Sequence, residues 1–256
     1  MRTWLMAPVF VWLSSCNASG AAVDGSVGTP IAPVRTIKAV PPDQPEPPAA
    51  NDQATVADGA DPADLEKEVR EVVIARVAEG FESRADIVAG TVDLLSEDFD
   101  QRELRAEVKR IVEIELVAQR QREQAWTTPT DCDRLDAAFA ELERTGILAR
   151  QNYEDCQTCG SAAIAGEMDA RHRAGKTVRG YVYYHQQDTE AAVEGDLYLA
   201  YGAHGGNDQA VAAVAREVVR TLARHGLKVR WDNDVSKRIV VQLDWKRRRF
   251  TRPPRR

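Results

Sequence analysis

No aromatic residue occurs between Trp12 and Phe81, and eight of the 12 prolines fall within positions 17–62. That gap decides how much of the chain can fold. A segment without large apolar side chains cannot bury enough surface to offset its ordering entropy, so 17–62 is expected to be a disordered Pro/Ala-rich linker. The folded unit is thereby confined to 63–249, long enough for a hydrophobic core without covalent or metal staples.

Ahead of the linker the chain reads as an export leader, with Arg2 as its positive charge, a ten-residue apolar stretch over 4–13, and then Leu13-Ser14-Ser15-Cys16. Ten residues are too few to span a bilayer as a helix. The last four resemble a bacterial lipobox. That resemblance implies a lipoprotein-type signal peptide over 1–16, Cys16 as the lipid-bearing residue, and a domain anchored to the cell envelope by lipid alone. The competing reading is a misassigned start codon in front of a cytoplasmic protein.

Formal net charge is −6, but positions 246–256 hold seven of the 34 basic residues and no acidic ones. The remainder carries 27 basic against 40 acidic residues. An acidic body argues against a nucleic-acid partner, because phosphate binding draws most of its affinity from basic surface. The basic terminus, 250–256 above all, is expected to be a solvated, disordered tail.

From position 63 the apolar residues recur at helical spacing. Leu65, Val69, Val73 and Val77 define a first helix ended by Gly80, and Ser83 caps a second running to 95. A third spans 101–124. Thr130 or Asp131 caps a fourth, which Gly146 stops. Beyond Gly146 the pattern alternates: strands over 147–153, 179–185, 197–201, 228–232 and 238–244, helices over 161–174 and 208–225, and a single helical turn over 189–193. The class is α+β: an N-terminal helical section (63–128) packed on a small mixed β-sheet with covering helices (129–249), the two forming one unit.

Two blocks carry most of the chemistry. Cys156-Gln157-Thr158-Cys159-Gly160 is a thiol pair placed where a strand gives way to a helix. As a redox site, the helix dipole and first N–H groups would stabilise a Cys156 thiolate, although Glu154 and Asp155 oppose it, and the aromatic residue and proline of thioredoxin-type sites are missing. As half of a zinc site, the pair needs further ligands. His185 is the best candidate, ahead of Cys132, His172 and His204, and Gly160 would supply a tight turn. The plain alternative is two small half-buried residues or a disulfide. The second block, Gln186, Gln187, Asp188 and Glu190 after His185, is a polar cluster that could serve such a site. Equally, it could be a strand end with Asp188 as helix cap. No serine-nucleophile elbow, phosphate-binding loop or His-Glu-x-x-His occurs.

Asp131-Cys132-Asp133-Arg134-Leu135-Asp136, Gly146 to Asn152, the Cys156 block, Gly180 to Glu190, Leu197 to Gly202 and Leu243-Asp244-Trp245 together resemble a bacterial domain family of unknown function. The resemblance covers about 63–249 and implies no activity. Members of that family often carry a further cysteine directly before the pair, where this chain has Asp155.

The leading expectation is a non-enzymatic binding or accessory domain, tethered to the cell envelope and zinc-stabilised if the ligand set closes, with no catalytic residue and no other cofactor. Its partner would be an unidentified protein or small molecule. The alternatives are a thiol-active enzyme centred on Cys156 and Cys159, and an acidic interaction protein for a basic partner.

Overall fold

A computed structural model describes residues 62–249. The leader with Cys16, the linker up to 61 and the tail 250–256 lie outside the described residues. Helix α1 (Pro62–Glu79) begins one residue before the expected boundary, and proline suits a first helical turn because its missing N–H has no partner to lose there.

Helices α1, α2 (Arg84–Leu94) and α3 (Gln101–Gln124) pack around Val69, Val73, Val77, Ile87, Leu104, Val108 and Ile111. Their ends are locally encoded. Gly80 leaves α1 with φ +86°, a conformation that disfavours side chains with a Cβ. Ser83 and Asp86 form a reciprocal capping box on α2, and Asp100 accepts from the backbone N–H groups of Arg102 and Glu103 on α3.

The second section runs α4 (Asp131–Arg144), β1 (Ile147–Arg150), α5 (Gln157–Arg173), β2 (Gly180–Tyr183), α6 (Gln186–Glu194), β3 (Asp196–Ala203), α7 (Asp208–Arg224), β4 (Lys228–Arg230) and β5 (Ile239–Gln242). Thr130 caps α4. The strands order as β1-β2-β3-β5-β4, with β1 and β2 parallel and the other pairs antiparallel. Alternation along β2 sends Val182 and Tyr184 into the larger core beneath α4 and α7, and Tyr183 into a smaller core beneath α5 with Ile164 and Met168. The fold is α+β, with the helical section preceding the mixed sheet.

Several boundaries differ from the periodicity. Strand β1 stops at Arg150, and α5 starts at Gln157, before the expected 161, because Cys156 acts as its N-cap. Helix α6 has nine residues where a single turn was expected. The largest difference concerns the basic terminus. Arg247 to Arg249 are part-buried and lace the two sections together. Arg249 Nη1 donates to Val77 O, Arg248 Nη1 to Glu123 O, and the Arg247 guanidinium lies 4.0 Å over the Phe81 ring. Trp245 Nε1 donates to Ala78 O at 3.2 Å. Arg249 and Arg248 satisfy carbonyls at the ends of α1 and α3 that the helices leave without partners, while Arg247 donates to Asp136.

Candidate functional site

Parallel pairing of β1 and β2 puts their C-terminal ends together, so the segments that follow lie side by side. Tyr153 N donates to Tyr184 O, and Gln186 N donates to Glu154 O. The loop between β1 and α5 thus continues the sheet contact past its last strand residue. Asn152 and Glu154, at φ 48° and 59°, bend it back towards α5.

Cys156 is the N-cap of α5, in the position usually held by serine or aspartate. Its sulfur accepts from Cys159 N at 3.4 Å and stands 3.1 Å from the Cys159 sulfur. No disulfide is formed. Closing one would require the sulfurs to approach by about 1 Å. The Cys159 backbone N–H, and then its thiol, hold the Cys156 pKa below the ordinary thiol range, while partial burial and Asp155 oppose them. Gly160 makes no turn; it lies within α5, where a Cβ would come 2.5 Å from Tyr183 Cε2. Tyr183 is fully buried, and its hydroxyl bonds Gln157 O and Ser161 Oγ, so it fixes the base of the cysteine turn. Substituting Gly160→Ala is expected to cost about 1–3 kcal/mol in urea unfolding, because neither the ring nor the helix backbone can yield freely.

His185, and not Asp188, is the N-cap of α6. Asp188 N donates to His185 Nδ1 at 3.3 Å, and Asp188 Oδ2 accepts from His185 N at 3.1 Å. The imidazole Nε2 also faces Asp188, 3.1 Å from Oδ2. Burial lowers the His185 pKa, Asp188 opposes that and Arg238 adds to it, so the ring is neutral at neutral pH. Asp188 receives both terminal nitrogens of Arg238. Thr189 Oγ1 donates to Asn152 Oδ1 at 2.7 Å and ties the two loops. Gln186 and Gln187 contribute backbone N–H groups to the Glu154 and Asp155 carbonyls. Glu190 points elsewhere, into a cleft against α1.

His185 is therefore not joined to the cysteines as a ligand. Cys132 is buried on the inner face of α4, and burial pushes its thiol up to about 12, which makes it inert. His172 bonds Val178 O and His204 bonds Asp169, their rings 4.0 Å apart. Among the described residues no three His, Cys, Asp or Glu side chains are arranged to hold a metal ion. Two thiolates alone do not fit a tetrahedral zinc site.

Arg238, Tyr183 and Asn152 complete this region and were not legible in the sequence. Arg238 carried no signal beyond opening the last expected strand, and Tyr183 looked like one more aromatic in a strand.

Fold and site together define an α+β domain with a helix-capping dithiol at the shared end of two parallel strands. The chain belongs to the domain family of unknown function DUF6891, whose model matches residues 62–249. No match was found among curated proteins or solved structures.

Proposed function

We propose that the domain is a dithiol redox module in which Cys156 attacks and Cys159 resolves. The observation that carries this reading is the pair of sulfurs 3.1 Å apart, with Cys156 capping α5. The Cys156 thiolate attacks one sulfur of a substrate disulfide, forming a mixed disulfide and releasing one substrate thiolate. Cys159 gives up its proton and attacks the Cys156 sulfur, releasing the second thiolate. Two electrons have then passed to the substrate, and the domain holds a Cys156–Cys159 bond until a thiol donor reduces it. Gln157 and Thr158, both exposed, form the rim over which a substrate must approach. An envelope location through a lipid at Cys16 belongs to the proposal, since disulfide substrates persist there.

The test is alkylation of the full chain at neutral pH. Cys156 is expected to react about tenfold faster than an unperturbed cysteine, since its depressed pKa raises the thiolate fraction. Its rate should also plateau at lower pH. Equilibration with oxidised glutathione should yield a Cys156–Cys159 bond by mass spectrometry. Alkylation no faster than for an ordinary thiol, or no internal disulfide, sinks the reading.

A further inference from the structure

A second site, independent of the dithiol, lies where α6 meets α1. Here a cleft of about 320 Å³ opens between the helices, a size within the range of small-ligand sites. Ala78 and Val193 line it with the exposed side chain of Ile74, and Glu79 and Glu190 line it from the two helices, close enough for their charges to interact. Glu71 and Glu194 stand on the rim.

Glu79 is the unusual member. It is 4% exposed, yet among the described residues no hydrogen bond or ion pair reaches its carboxyl group. It is also the last residue of α1, where the helix dipole disfavours negative charge. Neither neighbouring cation neutralises it by contact. Arg76 is held by both oxygens of Glu82, and Arg249 donates to the carbonyls of Arg76, Val77 and Glu82. Its oxygens are not among the fully enclosed polar atoms and open on the cleft; a carboxylate with so little access to water is costly for folding unless something completes it.

We propose that this cleft binds an alkylammonium group, the methylene chain lying on the apolar lining and the cation between Glu79 and Glu190. A bare metal ion would leave the apolar lining unused, whereas an amine on a short alkyl chain uses both that lining and the carboxylates. Free diamines and a lysine side chain share this chemistry.

Binding should depend on pH. Burial, with the negative charges of Glu190 and Glu82, pushes the Glu79 carboxyl up to about 7 against the opposing charges of Arg76 and Arg249. Burial also raises Glu190, opposed by Arg76 and a hydrogen bond from Gln186. Both groups must be ionised to hold a cation, so affinity is expected to rise from about pH 6 to about pH 8.

Calorimetric titration of the full chain with 1,5-diaminopentane tests this. One site per chain is expected, weakened about tenfold by Glu79→Gln and weakened again at the lower pH. N-acetyl-lysine methylamide in a parallel titration separates the sources: tighter binding than the diamine assigns the cleft to a lysine side chain, weaker binding to a free amine. Thermal melting should show Glu79→Gln folded, because the change removes an unpaired buried charge. No heat with either amine up to about 10 mM, or unchanged diamine affinity in Glu79→Gln, overturns the proposal.

Discussion

Replacing Arg238 with alanine is expected to lower the unfolding free energy by about 3–5 kcal/mol, because a buried carboxylate is left without its cation. Asp188 is 5% exposed and takes both terminal nitrogens of Arg238, one of which also reaches Tyr198 O at 2.7 Å. The same Asp188 completes the capping box of α6 by accepting from the backbone N–H of the N-cap His185, so its displacement is expected to loosen the first turn of that helix. Among the described residues the Arg238 Nε has no partner, a cost already set against the pair. Urea unfolding of the variant gives the loss directly. Arg238→Lys should fall between, since an ammonium keeps the charge but not the two-pronged contact. The double variant Arg238→Ala with Asp188→Asn should recover much of the loss, because removing both partners leaves no buried charge. A double variant as unstable as the single one contradicts this account.

Glu79→Gln is expected to act in the opposite direction, stabilising the protein by up to ~3 kcal/mol near pH 8. The folded-state pKa of Glu79 is raised from 4.5 to about 7, chiefly by burial. Between those values the folded protein holds a proton that the unfolded chain has released. Stability therefore falls as pH rises through that window and stays reduced above it. The neutral amide removes this dependence. Urea unfolding at several pH values should give curves that converge near the acid end and separate towards neutrality. Parallel curves would falsify the idea that Glu79 bears an unpaired charge.

How much of this could be read beforehand varied with the range of the interaction. The caps at Ser83 and Thr130 were legible because a capping box involves only residues three apart, and Gly80 and Gly146 because positive φ favours glycine. Cys156 as a cap was less legible, since sulfur is a weaker acceptor than the oxygens usual there, and α5 was placed four residues late. Asp188 looked like the cap of α6 for the same reason, but His185 Nδ1 took that role and left Asp188 to reach Arg238. The metal reading joined His185 to Cys156 and Cys159 because it ends a strand beside other polar groups. The fold spends both imidazole nitrogens on Asp188. Charge alone also gave no sign of the roles of Arg248 and Arg249, whose donors close the ends of α3 and α1.

The sequence by itself determined the α+β order of the elements over 62–249, most helix ends, and the closeness of Cys156 to Cys159. All of these depend on side-chain size and on hydrogen bonds made within one turn. Tertiary structure alone decided that β1 and β2 are parallel neighbours, that Asp188 meets Arg238 50 residues away, and that Arg249 reaches Val77 across 172. It alone brought Glu79 and Glu190 into one cleft. Those pairings follow from which apolar faces are buried together, and periodicity along the chain records that a face is apolar without recording what will cover it.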